Sequence, residues 1–217
     1  MQVSDLFSAP MEPALNDWIR QFSSLADLFA GMPQLYAKLE SQDIEGTIED
    51  GAVLVGPVCI GAGAVVQSLA IIRGPAIVGR DTVVGSHAEI QPGSFIGSKC
   101  MVGHGCSIAK SMVMNNVVIW PATFVRNSVI GFQGVVGPGA ALGAARPEMM
   151  NRTLCTSTGF GVFLGDHSAV GANSTLLPGT IIGQRTIIGD GVLADGIYGP
   201  DQVISATQNL RVTPGHF

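Results

Sequence analysis

Two histidines and two cations are the residues of this sequence best suited to chemistry. His87 and His104 are separated by 17 residues, and an unprotonated imidazole can accept a proton from an attacking group near neutral pH. Lys110 and Arg126 are separated by 16 residues, and two neighbouring cations are stabilised by an anion such as phosphate, which arginine suits especially well. Such pairs can act together only if the fold brings residues with this separation next to each other.

A six-residue repeat predicts a fold that does so. Counting in sixes from Ile48 to Trp120 gives thirteen apolar positions without a miss. Glycine often follows the apolar position, and the fifth position is mostly small. A period of six fits neither a helix nor a long strand, whereas short strands joined by tight corners satisfy it. Three hexads then close a triangular coil of about 18 residues, and coils stack about 4.8 Å apart in parallel sheets.

The repeat is interrupted twice. The next apolar position after Trp120 is Phe124, only four residues on, and a stretch without clean hexads follows Leu142. The repeat then resumes at Leu164, for a total of about seven coils. We therefore predict an all-β solenoid in three segments: an N-terminal helical cap at 1–45, a β-helix at 46–194 with a loop excursion at 143–163, and a C-terminal cap or tail at 195–217. The helical segment would cover the first coil or, alternatively, dock a partner.

Composition limits the function classes. A net charge of −5 argues against nucleic acid as a partner. We expect no membrane segment and no secretory signal, so the cytoplasm is the expected compartment. Only 12% of the residues are charged, which suggests that neighbouring subunits cover part of the surface. The four cysteines show neither a CxxC pair nor zinc spacing, so no metal site is expected. The first three, Cys59, Cys100 and Cys106, are expected to be reduced core thiols, and Cys155 is the fourth.

The segment from Val102 to Gly131, VGHGCSIAKSMVMNNVVIWPATFVRNSVIG, resembles a known family. It is similar to the glucosamine-1-phosphate acetyltransferase half of the bifunctional N-acetylglucosamine-1-phosphate uridylyltransferases, and to their archaeal-type and stand-alone relatives. The resemblance covers most of residues 46–205. It implies a left-handed β-helix that forms homotrimers and transfers an acetyl group from acetyl-CoA to a sugar phosphate between subunits. The nucleotidyltransferase half of that family is expected to be absent.

Several positions depart from the family pattern. The family's general-base histidine falls at Pro121, which has no titratable group. A tyrosine falls at Phe124, a lysine at Ala109, an asparagine at Ala144 and a second lysine at Gly159. The sequence therefore predicts either a divergent acyl-CoA-dependent acyltransferase acting on a sugar phosphate or nucleotide sugar, or a catalytically silent relative with a structural, ligand-sensing or regulatory role.

Candidate site residues follow from the repeat and from the resemblance. We predict His104 as the substitute base, stacked beneath Ala122, with His87 near the same corner of the preceding coil. Ordinary exposed corner residues are the alternative for the two histidines. Lys110 and Arg126 should stack in adjacent coils, with solvated charges or inter-subunit ion pairs as the alternative. The predicted substrate-binding residues are Lys110, Asn116, Trp120, Arg126 and Arg146. By resemblance, backbone amides would hold acetyl-CoA or another acyl-CoA at Gly143, Val162, Gly171, Ala172 and Arg185.

Overall fold

The chain winds into a triangular prism of parallel strands. The computed structural model describes residues 25–31, 33–36, 39–143 and 160–206. In these residues, sheets of nine, nine and eight strands form the three faces, which we call sheets A, B and C. Each strand pairs with the strand three places along the chain, so one strand from each sheet makes one coil. The fold is the predicted left-handed β-helix, with eight complete coils instead of about seven.

The strands are short and recur in strict rotation. Sheet A contains β1 (Asp43–Ile44), β4 (Val58–Ile60), β7 (Ala76–Val78), β10 (Ser94–Ile96), β13 (Met112–Val113), β16 (Val129–Ile130), β19 (Val162–Leu164), β22 (Thr180–Ile182) and β25 (Ile197–Tyr198). Sheet B contains β2 (Thr47–Ile48), β5 (Val65–Val66), β8 (Val83–Val84), β11 (Met101–Val102), β14 (Val118–Ile119), β17 (Val135–Val136), β20 (Ala169–Val170), β23 (Ile187–Ile188) and β26 (Val203–Ile204). Sheet C contains β3 (Val53–Val55), β6 (Ile71–Arg73), β9 (Glu89–Ile90), β12 (Ser107–Ala109), β15 (Phe124–Arg126), β18 (Ala141–Leu142), β21 (Thr175–Leu176) and β24 (Leu193–Ala194).

A column of aliphatic side chains fills the prism. Successive residues of a strand point to opposite faces, so each short strand contributes an inward residue. In sheet C, Ile72, Ile90 and Ile108 are in register on successive coils and are fully buried. Burying one such side chain contributes roughly 1.5–3 kcal/mol. The repeated inward residue therefore stabilises the stack coil by coil.

The repeat loses one residue at each of two corners. From Ile108 to Val113, and again from Val125 to Ile130, consecutive inward residues are five positions apart instead of six. Ile96 is in register with Val113, and Val113 with Ile130, so the coils here contain 17 residues (113 − 96 and 130 − 113). The predicted single step of four residues is therefore wrong, because the shift is divided between two corners.

The division of the shift changes which residues face the core. The predicted inward residues Met114, Trp120 and Phe124 are replaced in the core by their neighbours Val113, Ile119 and Val125. Trp120 is 46% exposed instead. Both candidates at each position are apolar, so hydrophobicity alone did not distinguish them.

Serine hydroxyls close the two tight corners. Lys110 and Asn127 adopt left-handed backbone, with φ of 48° and 49°, which lets the chain turn within fewer residues. The Ser111 hydroxyl donates to the carbonyl of Ala109 at 2.8 Å and accepts the N–H of Ser128 at 3.2 Å. These bonds satisfy backbone groups that a shortened corner would otherwise leave unpaired.

The prism extends beyond both predicted boundaries. It begins with β1 at Asp43, three residues before the predicted start at 46. It also continues past Ala194, where the sequence predicted an irregular cap, because β25 and β26 pair with β22 and β23. The predicted excursion at 143–163 lies largely outside the described residues, and β19 begins one residue before its end, at Val162.

Two short helices precede the prism. Helix α1 spans Leu25–Gly31 and helix α2 spans Pro33–Tyr36. The rest of the predicted helical segment lies outside the described residues. A helical cap over the first coil is not seen in the described part, where the inward residues Ile48 and Leu54 are only half-buried. Neither described helix is long and apolar enough to cross a membrane.

The prediction of reduced core thiols holds for two cysteines. Cys100 and Cys106 are buried in the core and unpaired. Cys59 lies between two inward residues of β4, faces outward and is half-buried, so its predicted core position is wrong. Cys155 lies outside the described residues. Burial raises the pKa of the Cys100 thiol to about 11.

This arrangement predicts an order of thiol reactivity. At pH 8 only about one Cys100 thiol in a thousand is ionised, because each unit between pH and pKa is a factor of ten, and the thiolate is the reactive form. We expect native alkylation with iodoacetamide, followed by peptide mass spectrometry, to modify Cys59 well before Cys100 or Cys106. In denaturant the three should react alike. Equal rates in the native protein would contradict the buried positions.

Candidate active site

The predicted site residues lie at the three corners of the prism. We name each corner by the sheets it joins: AB, BC and CA. The BC corner carries His87, His104, Trp120, Gly171 and Ala172; the CA corner or its edge carries Lys110, Arg126, Gly143 and Val162; the AB corner carries Asn116 and Arg185. Arg146 lies outside the described residues. A single chain therefore does not bring all of these residues together.

His104 occupies the same corner position as Pro121 on the next coil. Val102 is in register with Ile119, and continuing by two residues places His104 opposite Pro121. The N–H of Ala122 donates to the His104 carbonyl at 3.0 Å, so the two coils are in direct contact there. The prediction that Ala122 stacks on His104 is wrong by one residue, because this coil has lost a residue. His104 is exposed, and its backbone lies about 4.8 Å from that of Pro121.

His87 lies at the same corner on the preceding coil. It adopts left-handed backbone with φ 58°, as does Gly105 with φ 64°, and the N–H of Gly105 donates to the Ser86 carbonyl at 3.0 Å. His87 therefore shares its corner position with Gly105, and His104 shares its own with Ser86. Both imidazoles are on exposed residues of adjacent coils, offset by one position along the chain.

Trp120 stands in a row of glycines on the BC corner. Gly85 and Gly103 occupy the same position on the two preceding coils, and Gly137 occupies it on the following coil. A Cβ atom built on Gly103 would meet the Pro121 nitrogen at 2.6 Å, so the coils approach too closely for side chains at most of these positions. The half-exposed indole therefore projects from an otherwise flat row, beside His104.

The backbone N–H of His104 differs from its equivalents on other coils of this corner. The Ser86 N–H is accepted by the Gln67 side chain at 3.1 Å, and the Ala172 N–H by Asp190 Oδ1 at 2.7 Å. The equivalent N–H of His104 has no acceptor among the residues that the structure describes. A free N–H beside an imidazole can stabilise an anion or a developing oxyanion.

Lys110 and Arg126 lie near the CA corner but do not stack as predicted. Arg126 is in register with Ala109, and Lys110 falls opposite Asn127. The Arg126 guanidinium lies over the Phe124 ring, 4.9 Å from its centroid, a cation–π contact. Both cations are exposed, and neither forms an ion pair with any described residue. The two cations are therefore one position apart along this corner instead of stacked.

Comparisons with known proteins agree with the repeat. A family model described as the GMPPB C-terminal domain matches residues 72–146. No curated protein matches the sequence. The structure of UDP-N-acetylglucosamine acyltransferase from Francisella novicida matches with a TM-score of 0.60 at 16% identity, over 78% of this chain and 66% of that enzyme. The corresponding acyltransferase from Bacteroides fragilis matches with a TM-score of 0.55 at 14% identity, over 77% of this chain and 69% of that enzyme.

The chain is a hexapeptide-repeat protein. At these identities the likeness to the two enzymes shows a shared fold, and the chain spans about two thirds of the length of each. The acyltransferase activity of those enzymes belongs to them. Whether this hexapeptide-repeat protein shares it depends on its own site.

The predicted CoA positions have little free backbone to offer. The N–H groups of all five already donate within the chain: Gly143 to Leu176, Val162 to Ser128, Gly171 to Ile188, Ala172 to Asp190 and Arg185 to Asp166. The Arg185 guanidinium also donates to both carboxylate oxygens of Asp201, at 2.6 and 2.7 Å, and these bonds lower the pKa of the Asp201 carboxyl. A nucleotide held by free amides at these five positions does not fit this chain.

Sequence reasoning missed three residues next to the histidines. Glu89, Ser107 and the neighbouring Arg73 face outward on sheet C, within one coil of His87 or His104. Arg73 and Glu89 are 16 residues apart in the sequence, and Glu89 and Ser107 are 18 apart. These spacings indicate neighbouring positions only once the length of a coil is known. Among the described residues, no three metal-ligating side chains come together.

Proposed function

We propose that this protein is a cytoplasmic, acyl-CoA-dependent acyltransferase that acts on a sugar phosphate or nucleotide sugar at the BC corner. The observation that supports it best is the register of His104 with Pro121, the position at which the resemblance expects the general base. An imidazole one coil away reaches a similar region of the corner. The fold shared with two UDP-N-acetylglucosamine acyltransferases is consistent with this class.

The chemistry requires a base, an oxyanion donor and an anion site. The acceptor's amine or hydroxyl attacks the thioester carbonyl while His104 takes its proton; the carbon–sulfur bond then breaks, and the CoA thiolate leaves and is protonated. The N–H of His104, which has no acceptor among the described residues, and the indole N–H of Trp120 are donors near this corner. Lys110 and Arg126, both without ion-pair partners in the described residues, provide the anion site.

Association into a homotrimer fits the outer face of sheet B. The outward residues of this sheet include Met101, Val135 and Ile187, which are 38%, 37% and 47% exposed. An apolar strip of this kind along a prism is suited to a second copy of the chain. Because the strip ends at the BC corner, a neighbouring subunit would lie beside His104 and complete the acyl-CoA site that one chain lacks.

The proposal is tested by binding and by turnover. We expect calorimetry to detect acetyl-CoA binding with one site per chain and a micromolar Kd, and light scattering to report a trimer. Release of free CoA thiol should then be detected when amino-sugar phosphates or nucleotide sugars are added. Absence of binding at millimolar acetyl-CoA would exclude the transferase.

A silent, ligand-sensing protein is the second candidate. It is favoured by Pro121 and Phe124, which carry no titratable group where the resemblance expects histidine and tyrosine. Under this alternative, sugar phosphate or acyl-CoA binds without release of CoA thiol at any acceptor concentration. The two candidates therefore differ in turnover and agree in binding.

A further inference from the structure

The outer face of sheet C has a trough along β12. The outward residues of this strand are Ser107 and Ala109, which are small. Ser107 is in register with Glu89 on one neighbouring strand and with Phe124 on the other. Because strands are about 4.8 Å apart, these larger side chains stand roughly 10 Å from each other across Ser107. Ser107 is half-buried and Ala109 is 5% exposed, so the trough is open at its Ser107 end.

The two walls of the trough differ in chemistry. On the β9 side, the Glu89 carboxylate forms an ion pair with Arg73, which holds it in place on the outer face. On the β15 side, the Arg126 guanidinium lies over the ring of Phe124. One wall is therefore a hydrogen-bond acceptor, and the other is an aromatic surface with a cation.

The ends of the trough are also different. His104 precedes Ser107 by three residues on the same coil, at the BC corner, whereas Lys110 directly follows Ala109 at the CA corner. Lys110 and Arg126, which form no ion pair with the described residues, thus lie at the end away from the histidine. A ligand lying along β12 would meet a base at one end and positive charge at the other.

We propose that this trough binds the sugar ring of the acceptor, with Glu89, Ser107 and Phe124 as specificity residues. Glu89 and Ser107 bond to ring hydroxyls, Phe124 packs on the apolar face of the ring, and the phosphate lies toward Arg126 and Lys110. This orientation leaves the reacting group of the acceptor beside His104. The inference rests on the proposed function for the identity of the acceptor, but the binding itself requires no acyl-CoA.

The test is equilibrium binding of three probes without acyl-CoA: glucose 1-phosphate, glucose and inorganic phosphate. We expect glucose 1-phosphate to bind more tightly than either fragment. Glu89→Gln should weaken its binding roughly 5-fold, and Phe124→Ala roughly 3- to 10-fold. Neither substitution should change the binding of inorganic phosphate, whereas Arg126→Ser should weaken both phosphate-bearing probes.

Matched controls and a blocking variant keep the result decisive. Glu45→Gln and Phe95→Ala change an exposed carboxylate on the first coil and an outward aromatic residue on sheet A, and should leave binding unchanged. Ser107→Leu fills the open end and should abolish binding of the sugar phosphate, even if Phe124→Ala fails to fold. Wild-type affinity in Glu89→Gln and Ser107→Leu would overturn the trough. If these variants lose binding of glucose 1-phosphate while the wild-type protein never releases CoA thiol, the trough is supported and the transferase is rejected.

Discussion

Replacing His104 by glutamine is expected to reduce kcat of acyl transfer by about 100-fold or more, the usual contribution of a positioned general base. Glutamine keeps hydrogen-bonding capacity but cannot take a proton at neutral pH. Because His104 is exposed and at a corner, its loss should not disturb the core. The affinity for acetyl-CoA, measured by calorimetry, should stay within about twofold, since a base acts on the transition state.

His167 provides a matched control. Like His104, it is an exposed histidine, but it adopts left-handed backbone with φ 59° and lies on the AB corner, where its ring is 5.6 Å from that of Phe132. His167→Gln should leave kcat unchanged. His87→Gln should have a smaller effect than His104→Gln, because His87 lies one position away from the row containing His104. Full activity of His104→Gln would remove this residue from the chemistry.

Replacing Ile119 by alanine is expected to destabilise the protein by about 2–5 kcal/mol. Ile119 is fully buried in the core, and truncation leaves a cavity that neighbouring coils cannot fill without changing their register. Trp120→Ala, one residue on, should cost less than about 1 kcal/mol, because the indole is 46% exposed. Denaturant midpoints, compared at equal slope, measure both effects.

The uninterrupted count of six predicts the opposite order for these two variants. It places Trp120 inside and Ile119 at the surface. A larger loss of stability in Trp120→Ala would therefore support the unshifted frame and contradict the two 17-residue coils. The same result would move His104 out of register with Pro121, so this experiment also tests the geometry of the candidate site.

Particular residues show why the overall fold was predictable and its limits were not. From Ile48 to Ile108 every sixth residue is apolar, and each of them faces inward in the structure. The ends were harder to predict, because the terminal strands contribute less to the core: Ile204 is only partly buried and Val203 is 75% exposed. The sequence of these terminal strands therefore shows little of the apolar periodicity by which a strand is recognised.

The candidate site was predictable only in part. The sequence located His87 and His104 near one corner, because the 17 residues that separate them are close to the length of one coil. The sequence-based register misplaced Lys110 relative to Arg126. The corner at Lys110 is one residue shorter than the others, and the pattern of apolar residues does not show this shortening. Glu89 and Ser107 carry no motif of their own, and they become a pair only through the strand register.

The amino-acid sequence by itself determined the architecture, because a period of six is a local property: each hexad contains its own inward residue, small residue and corner. Only the tertiary structure decided which residues share a position on neighbouring coils. Adjacent apolar residues such as Ile119 and Trp120 have similar hydrophobic free energies of burial, so the choice between them depends on how the shortened corners pack against the coils above and below. That choice places His104 beside Pro121 and forms the trough along β12.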